Sequence, residues 1–112
     1  MRRRSQLLTA VKTPSLKPNS VTEFTNLIEN ETIPLLRKQK GFRDEMTFVT
    51  ADGKEAVGIS LWDEKEQADT YNRDSYPQVL KAMGRVVEGT PQVHSYEVSN
   101  STFHKIAVHA TV

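Results

Sequence analysis

The chain has 112 residues, enough for one domain that buries roughly two-thirds of its unfolded surface, but with less room for a large internal active site. Fifteen basic residues against fourteen acidic ones leave a formal charge of +1, so there is no overall electrostatic case for a nucleic-acid or membrane partner. The absence of cysteine excludes a disulfide framework, a thiolate metal site and a cysteine nucleophile, and fits a reducing, cytoplasmic setting.

Arg2-Arg3-Arg4 has the charge of a signal-peptide start, but the apolar run behind it is only Leu7-Leu8 and no stretch approaches membrane-spanning length. The arginines read as a solvated terminus. Residues 5–13 read as a first strand, with Leu7, Thr9 and Val11 on one face and Leu8 and Ala10 on the other. Pro14 and Pro18 cannot donate to a strand ladder and bracket a loop.

Ser20-Val-Thr-Glu23 has the form of a capping box, in which the hydroxyl caps the N3 amide and the carboxylate reaches back. Val21, Phe24, Leu27, Ile28 and Leu35 follow at helical spacing. Pro34 removes one helical hydrogen bond and crowds the preceding turn, which predicts a kinked helix over about 20–39 rather than two helices. Arg37, Lys38 and Lys40 favour its C-terminal end, and Gly41 suits the position just past it.

Asp52-Gly53 separates two strand-like runs and signals a two-residue type I′ hairpin. In the first arm Phe42, Met46 and Phe48 are expected on one face and Arg43, Glu45 and Thr47 on the other. The second arm, Ala56 to Trp62, carries no charge on either face, the mark of a strand covered on both sides. Asp63-Glu-Lys-Glu66 then opens a short helix, with Asp63 as its expected cap. Ser75-Tyr-Pro-Gln78 restarts it, and the second segment is expected to run to Gly89 ahead of Pro91. Val93 to Val98 reads as a last strand, with His94, Tyr96 and Val98 opposite Val93, Ser95 and Glu97. Phe103, Ile106 and Val108 suit a further short strand in the 99–112 tail.

The order β-α-β-β-α-β predicts an α+β fold, a ferredoxin-like sheet with both helices on one face. Two helices cover one face only. The uncharged strand 56–62 therefore asks for a second cover, and another copy of the sheet is the simplest one, pairing two chains as a dimeric α/β barrel; the alternative is that the tail folds over that face.

Three stretches carry a resemblance to a known family. They are Pro34-Leu-Leu-Arg-Lys-Gln-Lys-Gly41-Phe42, Ile59-Ser-Leu-Trp62-Asp63-Glu-Lys-Glu-Gln-Ala68, and Pro91-Gln-Val-His-Ser-Tyr96-Glu-Val98. Together they resemble the antibiotic biosynthesis monooxygenase (ABM)-like branch of the dimeric α/β-barrel superfamily, over roughly residues 5–98 of a single domain spanning 1–112. Members of that branch place a Gly-Phe after the first long helix, a tryptophan at the end of the third strand, an acidic cap and a tyrosine on the last strand. The superfamily includes cofactor-free oxygenases, haem-degrading enzymes, isomerases and proteins of no assigned activity, so the fold does not name the reaction. The haem-degrading pattern is absent: residues 5–13 hold no Asn and residues 64–88 no His.

The resemblance implies a homodimer that needs no cofactor, a small cofactor-independent monooxygenase on an aromatic or quinol-like molecule. Such a site needs an apolar pocket and a few polar groups to hold an anion. The alternative is a non-enzymatic ligand-binding or stress-associated barrel, or an assembly protein with no small-molecule site. The candidate residues are Trp62, Tyr71 and Tyr76 as substrate-binding walls and His94 as general base, its unperturbed pKa lying near neutrality. Each has a plain packing role as its alternative. Arg43 and Glu45 are read as a pair or as solvent-facing. His104 and His109, five apart with no helix expected, make a poor metal pair, and no metal site is expected.

Overall fold

The computed structural model describes residues 7–102. The arginine run, the first two residues of the expected strand 5–13, and the tail stretch with Phe103, His104, Ile106, Val108 and His109 lie outside the described residues.

Among the described residues four strands form one antiparallel sheet in the order β2-β3-β1-β4. β1 (Leu7–Thr13) pairs with β3 (Ala56–Trp62) on one side and β4 (Gln92–Glu97) on the other, while β2 (Phe42–Val49) extends the β3 edge. The two β-helix-β connections each skip over a strand, which is the ferredoxin-like split βαβ arrangement expected from the element order. All helices lie on one face. They seal Leu7, Ala56 and Trp62 into two apolar clusters, one around Leu36, Ala68 and Tyr71, the other around Phe24, Leu27, Val79, Met83 and Val86.

Pairing across the strands fixes which residues share each face. Thr13↔Ala56, Val11↔Gly58, Thr9↔Ser60 and Leu7↔Trp62 form the rows beneath the helices. Lys12↔Val57, Ala10↔Ile59 and Leu8↔Leu61 form the rows on the open face, continued into β4 by Gln92, His94 and Tyr96. In β2 the register slips by one between Phe42 and Asp44. Such a bulge leaves an extra residue unpaired and reverses the inside–outside sense of everything beyond it. Phe42 thus packs edge-on against Trp62 beneath the helices, with ring centroids 5.6 Å apart, whereas Asp44, Met46 and Phe48 point to the open face. The sequence expectation that Phe42, Met46 and Phe48 share a face is corrected by this bulge: Glu45 and Thr47 turn inward instead.

Several local expectations shift as well. The hairpin is not a two-residue I′ turn. Only Gly53 has positive φ (73°), and the turn is closed by Gly53 N–H to Thr50 C=O at 2.8 Å. Asp52 Oδ1 accepts from Thr50 Oγ1 (2.7 Å) and Lys54 N–H (3.0 Å), so side chains stabilise a longer loop between Val49 and Ala56. The first helix runs as α1 (Val21–Leu27), a π turn (Ile28–Thr32) and α2 (Ile33–Arg37). Ile33 N–H bonds to Ile28 C=O, a five-residue step placed just before Pro34. Widening the turn there accommodates a ring that an α-helical turn would crowd.

Ser20 precedes α1 but its side chain makes no capping bond; Oγ donates instead to Pro18 C=O at 3.4 Å, and Glu23 pairs with Arg85. At α3 (Lys65–Asp74) the capping box is one residue later than expected, formed by Glu64 and Gln67, with Glu64 N–H donating to Gln67 Oε1 at 3.1 Å. Asp63 is engaged by Arg43. α4 (Tyr76–Met83) ends six residues before Gly89, because the chain leaves the helix to bridge Val87 to Leu16.

Candidate functional site

The two apolar clusters under the helices are separated by a polar row of the sheet. Thr9 of β1 and Ser60 of β3 face each other there, and Glu45 of β2 pairs with Ser60 in register. Next to it, Gly58 presents no side chain. A methyl at Gly58 would meet the Glu45 Oε2 and Thr47 Oγ1 atoms at 3.7 and 3.9 Å, so the Glu45 carboxyl leans across the glycine toward the helices. Above this row lies a half-open cleft of about 70 Å³. Thr9, Val11, Glu45, Gly58 and Ser60 form its floor, Thr32 and Leu36 one wall, and Tyr71, Asn72, Tyr76 and Val79 the other.

The break between α3 and α4 builds that second wall. In an unbroken helix two residues five apart would point about 140° away from each other. The chain turns at Ser75, with Pro77 in the first turn of α4, where its missing N–H costs nothing. Tyr71 and Tyr76 are thereby brought to ring centroids 6.3 Å apart on the same cleft. The π turn serves the opposite wall, since it carries buried Thr32.

Two polar atoms in the cleft lack partners: Thr9 Oγ1 and the Tyr76 hydroxyl are both buried and make no hydrogen bond. Groups of this kind are costly to bury alone and are uncommon in folded proteins. Burial pushes the Tyr76 phenol up to about 12. Burial also raises the Tyr71 phenol, with smaller contributions from Tyr76 and the Glu45 charge. Both phenols are therefore protonated donors across the ordinary pH range. Glu45 is raised above the usual carboxylate value, chiefly by burial; the hydrogen bond from Thr47 works against the shift and the charge of Glu29 adds to it. Among the described residues no lysine or arginine lines the cleft.

Of the four site residues expected from sequence, the structure brings Tyr71 and Tyr76 together on the cleft. Trp62 stands behind them, fully buried, its ring 5.4 Å from Tyr71 and its Nε1–H donating to Ser60 Oγ at 2.9 Å. His94 is placed elsewhere, on the open face of β4 opposite Ala10 and 6.4 Å from the Tyr96 ring. Sequence reasoning passed over Thr9 and Ser60 as site residues, and read Glu45 as paired with Arg43 or solvent-facing, whereas Arg43 pairs with Asp63 and Glu45 lines the cleft. Thr9 and Ser60 carried a faint signal as hydroxyls in otherwise apolar strand faces, whereas Glu45 was hidden by the bulge. Among the described residues no group of three or more histidine, aspartate or glutamate side chains is placed to hold a metal ion.

No protein-family model and no curated protein matches the sequence. Solved structures do. A monooxygenase from Streptomyces coelicolor in complex with nanaomycin D superposes with a TM-score of 0.75 at 14% identity, covering 88% of this chain and 92% of that one. This chain has the same ferredoxin-like fold. SnoaB, a cofactor-independent oxygenase from Streptomyces nogalater, matches at TM-score 0.74 and 12% identity, over 88% of this chain and 98% of its own. A conserved protein from Methanosarcina mazei matches at 0.68 and 18%, over 82% and 91%. The fold is thus shared with oxygenases and with a protein described only as conserved. Identities this low carry the architecture and leave the reaction to the site.

Proposed function

We propose that the chain is a small cofactor-independent monooxygenase of ABM type that receives the hydroxyl-bearing edge of an aromatic or quinol-like molecule in the cleft between sheet and helices. The observation that carries this reading is the pair of unpartnered buried hydroxyls, Thr9 and Tyr76, on one small cleft. A bound polar group would relieve both at once. Tyr71 and Tyr76 would donate to an oxygen of the ligand, Val11, Leu36 and Val79 would hold its apolar body, and Trp62 would fix the position of Tyr71 from behind. His94 lies outside this cleft, on the open face of the sheet.

The working unit in this reading is a homodimer. The open face presents Met46, Phe48 and Tyr96 at 41, 51 and 49% exposure beside Leu8, Val57 and Ile59, with only Asp44 and Lys12 as charges in the same rows. Apolar patches of that kind mark interfaces, and a second copy of the sheet matches it in shape and composition.

Oxygen uptake with a panel of hydroxylated aromatics tests the activity. Uptake that falls in Tyr76→Phe supports it. Thermal stabilisation by the same compounds without uptake would instead assign the cleft to ligand binding alone. Neither uptake nor stabilisation would remove the reading.

A further inference from the structure

Among the described residues Glu45 is the one carboxyl lining the cleft. Its surroundings are unusual for a carboxylate. Gly58, the partner of Thr47 and diagonal to Glu45, has no side chain to shield it, and Thr47 Oγ1 supplies the hydrogen bond that holds Oε2 in place. The titratable groups facing it are all acidic or neutral: Glu29 from the π turn, the Tyr71 phenol from α3 and the Tyr76 phenol from α4. The nearest arginine in sequence, Arg43, is turned to Asp63 by the bulge. A carboxylate in a half-buried cleft without a counter-cation repels anions and accepts protons or hydrogen bonds from neutral donors.

We propose that Glu45 is the proton acceptor of the cleft and makes it selective for neutral ligands bearing an O–H group over carboxylates and other anions. This rests on the cleft being the binding site. The ligand enters protonated, with its O–H directed to the Glu45 carboxylate. Its oxygen lone pairs face the Tyr76 hydroxyl. When the ligand ionises, the O–H bond breaks, the proton passes to Glu45 and the electron pair remains on the ligand oxygen. Tyr76, protonated and otherwise unpartnered, stabilises that oxygen by donating to it. The proton stays within the site and no oxidant is required for this step. The negative charge is moved from Glu45 to the ligand rather than added to the cleft, which explains how a site with no lysine or arginine among its described residues can generate an anion.

The test compares phenol with benzoate, two single-ring probes that differ in charge, by NMR titration of the full-length protein, following the ring signals of Tyr71 and Tyr76. Phenol is expected to bind and benzoate to bind at least about tenfold more weakly. In Glu45→Gln the phenol affinity should drop roughly tenfold and the preference over benzoate should vanish. In the wild-type protein phenol affinity should climb as pH rises from about 4 to about 8, because the ionised carboxylate accepts a stronger, charge-assisted bond than the protonated acid. In the variant it should be flat. The wild-type pH series stands even if the variant folds poorly. Benzoate binding as tightly as phenol, or phenol affinity indifferent to both pH and Glu45→Gln, would overturn the role of Glu45 and leave the cleft intact as a binding site. If neither probe shifts the tyrosine signals of the wild-type protein, the cleft reading itself fails, and this assignment with it.

Discussion

Gly41 offers a quantitative check on how the corner before β2 is built. It sits at φ +82°, and a Cβ there would land 1.7 Å from Gln67 Oε1 and 2.1 Å from Gln67 Cδ. Gln67 is the reciprocal partner in the α3 capping box. The glutamine is long and can swing away from a methyl group, so the substitution Gly41→Ala costs a cap rather than an unrelieved clash. Two contributions then add: about 1 kcal/mol for a non-glycine residue in left-handed backbone, and about 1 kcal/mol for the lost cap. Gly41→Ala should therefore cost about 2 kcal/mol, and Gln67→Ala alone about 1 kcal/mol. The double variant should also cost about 2 kcal/mol, because the cap can be lost only once, giving a coupling near 1 kcal/mol. Urea unfolding followed by circular dichroism, with the slope unchanged across the cycle, measures all four corners. Additive costs near 3 kcal/mol would refute the claim that the methyl acts through Gln67, and a neutral Gly41→Ala would refute the left-handed corner itself.

Three further outcomes follow from residues already described. Ser20→Ala should change stability by less than about 0.5 kcal/mol, because the hydroxyl does not cap α1; a loss nearer 1 kcal/mol in the same urea assay would restore the capping box. Glu45→Gln should raise the melting temperature at neutral pH. Its carboxyl titrates above the ordinary value in the folded chain, so the native state holds the proton longer than the unfolded one, and stability falls as pH rises through that window. The gain of the variant should shrink toward pH 4, and a gain that grows on acidification would contradict the desolvation argument. Phe48→Glu should leave the circular dichroism of the fold unchanged, since the side chain is half exposed in the isolated chain, while converting a sedimenting dimer to a monomer. A wild-type chain that sediments as a monomer at micromolar concentration would end the dimer proposal.

The ferredoxin-like sheet with its helices on one face was legible from the order β-α-β-β-α-β, which with short connections leaves few topologies. Glu45 was not legible, and the reason is geometric. A single unpaired residue at the start of β2 inverts every later position, and nothing in Phe42-Arg-Asp-Glu45 distinguishes a bulged strand from a regular one. Similar near-misses occurred at the helix starts. Asp63 and Glu64 are both plausible caps by type, and the decision falls to Arg43, a residue twenty positions earlier that occupies Asp63. At the hairpin, Asp52-Gly53 carried the right glycine but the wrong loop length, because Thr50 and Asp52 close the turn through their own side chains. The helix break that brings Tyr71 and Tyr76 to one cleft was legible, because proline and serine write it directly into the sequence. Thr9 and Ser60 look in sequence like ordinary strand residues, and only their register against each other makes them the floor of a cleft.

That floor sets up a conflict between stability and binding, and Thr9→Val measures it. Thr9 is 2% exposed, its hydroxyl has no partner, and valine has nearly the same shape and a stronger preference for strands. Were Thr9 an ordinary core residue, evolution of a tighter core would have no reason to keep the hydroxyl there. Removing an unsatisfied buried hydroxyl without changing volume relieves a desolvation penalty of roughly 1–3 kcal/mol, less whatever the threonine recovers by relaxation. The ligand-free Thr9→Val protein should thus be more stable by about 1 kcal/mol, a rise of roughly 4–6 °C in melting temperature for a domain this size. The same change should weaken phenol binding several-fold, because the ligand loses a hydroxyl that the folded chain had left unpaired for it. Stability gained together with affinity lost is the signature of a residue retained for binding. A variant that is less stable than the wild type would mean that the hydroxyl is satisfied in solution by bound water, and one that is more stable with unchanged affinity would place the ligand elsewhere in the cleft.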